Sequence, residues 1–306
     1  GYAKGFPIKN RDVIMFDYRG SGLSQPTLCD WVGEETWNDL KRDLTFEEFN
    51  KNQTARFNQC LDTLESKEID YNQYGSNTKT KDAVMLAEVL GYDSYNLQGI
   101  SYGTRSILNF IRNAEHSKVK VRSVILDSNS PMGMMTNGTM SEKYTDVLNN
   151  IFNDCDQNPA CKQRFPDLKD RFVAFLESLD DKPWEVPLKD GSSFTLSKEE
   201  MNAFMHQTLY FENLYKNIPI LIEHLIARDD NVTKIIVPSY KGRAQDNYNT
   251  LGLINYVYDH KYFRDSTKAR YNRYLAKRSP YQVWNGYIDF YFNDSRIATD
   301  SLEHVP

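Results

Sequence analysis

The stretch Gly99-Ile100-Ser101-Tyr102-Gly103 has the pattern G-x-S-x-G. A serine at the apex of a sharp strand-to-helix turn can act as an acyl-transfer nucleophile, because its hydroxyl projects from the end of a sheet. The next residue, Tyr102, would turn its backbone N–H toward the oxyanion formed when a carbonyl is attacked. Gly99 and Gly103 read as steric requirements of such an elbow. So tight a turn brings the strand and helix backbones together, and a Cβ at either flank is expected to collide. The bland alternative is a glycine-bounded loop whose serine merely caps a helix. The pattern arises by chance in roughly one chain in ten of this length, so its surroundings decide its weight.

Those surroundings fit. Tyr95-Asn96-Leu97-Gln98 reads as a short strand before the serine, and Ile107, Leu108, Phe110 and Ile111 mark a helix after it, running to about Ala114. Asp12-Val-Ile-Met-Phe-Asp17 is an apolar run ending in an acid and predicts a buried parallel strand, with a turn at Arg19-Gly20-Ser21-Gly22. Val121-Arg-Ser-Val-Ile-Leu-Asp127 predicts another buried strand. Between them, residues 45–66 read as a helix opened by the capping box Thr45 to Glu48, and residues 80–90 as a helix closed by Gly91. Strand, helix, strand, helix, strand at this spacing predicts right-handed crossovers and a mostly parallel α/β sheet.

The pattern changes after Pro131. Residues 132–138 read as a linker, and residues 140 to 300 are mostly helical in pattern. Leu168, Phe172, Phe175, Leu176 and Leu179 share one helical face. Ser197 to Glu200 is a second capping box, before Met201, Phe204, Met205 and Leu209. Leu214, Ile218, Leu221, Ile222 and Leu225 form a further stripe, while the polar, Asn/Asp-rich residues 227–250 read as loop.

Composition bounds the function. The 306 residues allow two domains, or one with a large insertion, and 40% hydrophobic with 13% aromatic content supports a sizeable core. A net charge of −5 gives no basic field for nucleic acid. No apolar run approaches the ~18 residues of a membrane span. The four cysteines allow three pairings; the most economical joins Cys29 to Cys60 and Cys155 to Cys161. Disulfides imply an oxidising compartment, hence a secreted or periplasmic protein. Neither C-x-x-C nor a nearby histidine pair is present, so no metal is expected, and no cofactor is implied.

With these motifs placed, the chain resembles the α/β-hydrolase fold and, more narrowly, the tripeptidyl aminopeptidase and proline iminopeptidase group of serine exopeptidases. Four stretches carry the resemblance. Asp12 to Ser24 is similar to that group's strand followed by D-x-R-G-x-G-x-S. Leu90 to Thr104 resembles its elbow, including S-Y-G, and Val121–Asp127 its following strand. Asp154 to Cys161 with Phe165-Pro-Asp-Leu168 resembles the start of the helical cap in secreted tripeptidyl aminopeptidases. The resemblance implies a mostly parallel sheet, incomplete within this chain, under a large helical cap. Residues 1–132 would be the central part of the core, 133–300 the cap, and 301–306 the return to the core.

The resemblance further implies that Ser101 is the nucleophile and that Tyr102 supplies an oxyanion N–H. Asp17 and Arg19 would shape the floor of the site structurally. The activity implied is an aminopeptidase that releases residues or short peptides from free N-termini through an acyl-enzyme. The alternatives are a capped carboxylesterase or lipase on the same fold, and a non-catalytic binding protein. Tyr258-Asp259-His260 resembles the cap segment where relatives carry an acid near the substrate amine.

A serine hydrolase of this fold runs serine, acid, histidine in chain order. The five histidines are His116, His206, His224, His260 and His304. His116 suits a favourable charge after a helix C-terminus, His206 and His224 lie within cap helices, and His304 would sit at the sheet edge far from Ser101. Each reads as structural. Asp127 is a runner-up acid, since it ends the strand after the elbow. The expectation is therefore an internal portion of a longer hydrolase, inactive and not stably folded alone. Its catalytic acid and base would come from remaining segments of the same hydrolase.

Overall fold

The fold is that of a computed structural model, which describes residues 10–42, 44–130, 136–247, 250–260, 264–275, 279–281, 290 and 293–298. It opens with α1 (Trp31–Leu40), α2 (Phe46–Ser66), a 3-10 turn at Tyr71–Tyr74 and α3 (Ser76–Leu90). Strand β1 (Tyr95–Ile100) leads through Ser101 into α4 (Tyr102–Ala114), and β2 (Val121–Asp127) follows. The second half is α5 (Thr136–Gln157), α6 (Pro159–Arg164), α7 (Leu168–Asp181), the hairpin β3 (Trp184–Pro187) and β4 (Ser193–Leu196), then α8 (Lys198–Thr208), α9 (Glu212–Tyr215) and α10 (Ile218–Ile226). It continues through α11 (Asp230–Asn247), α12 (Thr250–His260) and α13 (Arg264–Leu275). The chain is thus a predominantly helical α/β mixture, with one parallel and one antiparallel strand pair among the described residues.

The local signals form as their chemistry dictates. The Thr45 hydroxyl accepts from the Glu48 N–H while Glu48 reaches back to the Thr45 N–H at 2.9 Å, so α2 starts with its exposed amides satisfied. The box at Ser197 and Glu200 starts α8 in the same way. Helix α3 ends at Gly91 in the left-handed region, φ 68°; it begins at Ser76, a turn earlier than its apolar residues suggest. Both disulfides, Cys29–Cys60 and Cys155–Cys161, are formed.

Strands β1 and β2 pair in parallel, with Tyr95 opposite Val121 and Ile100 opposite Asp127. Helix α4 is the crossover between them, and α3 packs beside it. Two sequence expectations fail here. The run Asp12–Asp17 joins no ladder among the described residues, and Val13, Ile14, Met15 and Phe16 are all exposed. β2 has the expected bounds, but Val124 and Ile125 face solvent. An apolar run shows that a strand could be buried; only hydrogen-bonded neighbours and covering helices make it so.

The helical half behaves oppositely. Its stripes converge on one large core including Leu148, Phe172, Leu176, Leu196, Met201 and Ile222, except that Leu214, expected in the last stripe, is exposed. Trp37, from the segment expected in the α/β core, stacks on Phe194 with ring centroids 5.4 Å apart. The loop expected over 227–250 is helical from Asp230 to Asn247. Val232, Ile236, Tyr240 and Ala244, spaced by four, form its buried stripe. Residues 301–306 and the 132–135 part of the linker lie outside the described residues, and residues 136–138, expected as linker, already belong to α5.

Candidate active site

Ser101 sits where β1 ends and α4 begins, with φ 53° and ψ −121°. Those angles fall outside the regions an L-residue ordinarily occupies, at a strain of about 1–3 kcal/mol. The surroundings enforce them. The Ser101 N–H donates to the Asp127 carbonyl of β2 at 2.9 Å, and its carbonyl accepts from the Thr104 N–H at 2.9 Å and the Thr104 hydroxyl at 2.7 Å. That hydroxyl also accepts from the Ser130 N–H at 2.8 Å, tying the loop after β2 to the elbow. The serine itself is exposed.

The two flanking glycines differ, which corrects their symmetric reading. A Cβ on buried Gly99 would lie 2.4 Å from the Gly103 carbonyl oxygen, so only glycine fits. A Cβ on Gly103 would meet nothing within 4 Å. The strand end is the crowded side of the elbow; the helix side is open.

Tyr102 is the first residue of α4, where backbone N–H groups have no intrahelical partner. Among the described residues its amide donates to no protein group. Its side chain turns inward, and its hydroxyl donates to Asp259 Oδ2 at 2.8 Å. The same carboxylate accepts from Arg105 Nη1 at 3.2 Å and from the Ser76 hydroxyl. Lys79 Nζ lies 3.4 Å from the Tyr102 hydroxyl and over the rings of Tyr18 and Tyr102, at 4.7 and 4.8 Å. Ser76, Lys79, Arg105 and Asp259 are all buried. Burial pushes the Lys79 ammonium down to about 8, an effect that Asp259 opposes and Arg105 reinforces. Burial also raises the Tyr102 phenol well above its ordinary value, and the nearby Asp259 carboxylate adds to this, so the phenol stays a donor.

The segment Asp17 to Ser24 closes on itself and on α3. Asp17 Oδ2 accepts from the Leu23 N–H at 2.9 Å, and the Ser24 hydroxyl donates to the Asp17 carbonyl at 2.7 Å. Arg19 grips Asp82 with two hydrogen bonds of 2.6 and 2.5 Å and donates to the Gln73 carbonyl. Both residues are committed to holding the loop.

The histidines are dispersed. His116 is exposed past the end of α4. His206 is buried in α8 between the ring edges of Tyr144 and Tyr210. His224 pairs with Asp229 at 2.8 Å on the surface of α10. None of these three bonds Ser101; His304 and the His260 side chain lie outside the described residues. The Asp127 carboxylate accepts from the neighbouring Ser128 hydroxyl at 3.0 Å. The Asp259 carboxylate, in the segment resembling an amine-binding position, is surrounded by three protein donors. No pattern in the sequence foretold that network, because its members are brought together from three separate helices. Among the described residues, no group of three or more His, Cys, Asp or Glu is placed to hold a metal ion. No described helix is long and apolar enough to cross a membrane.

Neither a scan of protein-family models nor a search of curated proteins finds a match to this chain.

Proposed function

We propose that this protein is a serine hydrolase of the α/β-hydrolase type, with Ser101 as nucleophile. The observation that carries the reading is the backbone of Ser101, φ 53° and ψ −121° between a parallel strand and a helix. A merely capping serine needs no such conformation; a nucleophile elbow does. In the proposed reaction, Ser101 Oγ attacks the scissile carbonyl and its proton passes to a general base. The Tyr102 N–H stabilises the oxyanion. The base returns that proton to the amine, which leaves, and water then hydrolyses the acyl-enzyme and restores the serine hydroxyl. The reading leaves the base and its orienting acid to other residues of the polypeptide.

The substrate class proposed is a peptide with a free N-terminus, on the resemblance at residues 12–24, 90–104, 121–127 and 154–168 to serine aminopeptidases. The two disulfides support an oxidising compartment, periplasmic or extracellular. The test is fluorophosphonate labelling of the full-length protein, followed by peptide amides with free and blocked N-termini. Labelling at Ser101 that disappears in Ser101→Ala, with cleavage of free peptides only, is the expected result. Equal cleavage of blocked peptides removes the exopeptidase assignment. Turnover of short acyl esters without peptide cleavage makes the protein an esterase. No labelling of wild type removes the hydrolase reading and leaves a binding protein.

A further inference from the structure

Asp259 is set within α12, far along the chain from the elbow, yet its carboxylate is the meeting point of the elbow's supports. Tyr102 and Arg105 are three apart in α4 and so lie on one helical face. Ser76 and Lys79 have the same spacing in α3. The two faces meet around Asp259, which accepts from Tyr102 at 2.8 Å, from Arg105 at 3.2 Å and from Ser76. The Asp259 side chain is 0% exposed and that of Arg105 1%. Water therefore cannot replace these bonds, and each holds its donor in one place.

The consequence concerns the backbone. Tyr102 carries two groups on one residue, an amide adjacent in the chain to Ser101 and a phenol bonded to Asp259. Clamping the phenol restricts rotation of the first turn of α4, and with it the direction of the amide. Arg105, one turn on, is held by the same carboxylate and stacks toward the Tyr102 ring, 5.5 Å from its centroid. The first turn of α4 is thus fixed twice from α12.

We propose that Asp259 is a positioning residue for the oxyanion site: through the Tyr102 hydroxyl and the Arg105 guanidinium it fixes the Tyr102 amide relative to Ser101. The inference rests on the reading of Ser101 as nucleophile. It makes α12, in the helical half, part of the catalytic apparatus without contact to the substrate. An oxyanion donor acts only when its direction is preset, so loosening it lowers kcat rather than weakening substrate binding.

The experiment compares full-length wild type with Tyr102→Phe, Asp259→Asn and the double variant. It measures kcat and KM on a peptide amide with a free N-terminus and amide hydrogen exchange across residues 101–105. The expected result is a kcat lowered about tenfold to a hundredfold in each single variant, with KM within about twofold. The double variant falls no further than the worse single, because the Tyr102–Asp259 link that Tyr102→Phe removes is already altered in Asp259→Asn. Exchange across residues 101–105 quickens in all three and is unchanged across α7. Folded variants with wild-type kcat overturn the inference, as do losses that multiply in the double variant. If Asp259→Asn does not fold, Tyr102→Phe decides alone, since it deletes one oxygen and keeps the amide. A wild type that neither turns over substrate nor labels at Ser101 overturns the nucleophile reading itself. An active wild type with unaffected variants overturns only the role of Asp259.

Discussion

The core of the helical half and the β1–β2 strand pair hold the same kinds of apolar residue in opposite environments. In the helical half, Phe172, Leu176 and Ile222 are fully buried. In the strand pair, Ile125 is 56% exposed, and Ile100 and Val124 also face solvent. The difference follows from where each element finds its hydrogen bonds. A helix satisfies its backbone internally and needs only side-chain neighbours to be covered. A strand needs a partner on each edge and cover on each face, and one parallel pair provides a single shared edge. The site sits on the less covered half. Its geometry is held by few, specific polar contacts, whereas the helical half is held by bulk packing.

Replacing one apolar side chain on each side breaks this comparison most sharply. Phe172 is enclosed by the rings of Phe152, Phe175 and Tyr281 at 6.2, 6.4 and 6.3 Å. Phe172→Ala should lower unfolding free energy by about 3–5 kcal/mol. Ile125→Ala should lower it by no more than about 1 kcal/mol, because its side chain is already largely solvated. Urea denaturation of both variants measures the contrast. Equal losses would mean that β2 is covered and that the two halves do not differ.

The next effect belongs to Lys79, where the halves meet. Its charges and ring neighbours are Asp259, Arg105, Tyr102 and Tyr18. The folded state binds its proton only up to about pH 8, the unfolded state up to 10.5. Below pH 8 both states are protonated, and the fold carries the full penalty of a buried ammonium. Between those values the unfolded chain binds more protons, so stability rises with pH. The shift corresponds to about 3 kcal/mol. Wild type should therefore gain stability relative to Lys79→Met as pH is raised from 8 to 10. Chemical denaturation at three pH values in that range checks this; a constant difference between the two proteins would place the ammonium in water.

How much of this was legible depends on whether a feature is local. The capping boxes at Thr45 and Ser197, the αL glycine at 91 and the bounds of β2 are written in a few adjacent residues, and each forms as read. Helix α11 was hidden because its polar composition and Pro238 mask a buried stripe spaced by four. The β3–β4 hairpin was hidden between two strong helices, although Trp184 and Val186 alternate inward around a turn that contains Gly191. Burial of β2 could not be read from β2, because it depends on neighbours elsewhere. At the site, the turn around Ser101 was visible and the Asp259 network was not. Its hydrogen bonds join residues more than 150 positions apart, a distance over which no periodicity carries information.

The smallest effect tests the elbow itself. Symmetry of the G-x-S-x-G pattern suggests that both glycines are required; the structure gives them different roles. On Gly99, a Cβ would meet the Gly103 carbonyl at 2.4 Å and Ile107 Cγ1 at 2.8 Å. The first of these is backbone and cannot swing away, so strand and helix must separate. Gly99→Ala should lose about 1–3 kcal/mol of stability and slow labelling at Ser101, since the separation moves the serine. On Gly103, a Cβ enters open space, and alanine is favoured over glycine within a helix by up to about 1 kcal/mol. Gly103→Ala should therefore melt at or slightly above the wild-type temperature and keep its labelling by a small probe. Thermal melts and labelling rates for the pair measure the asymmetry. A Gly103→Ala variant as damaged as Gly99→Ala would mean that the helix side of the elbow is as tightly packed as the strand side.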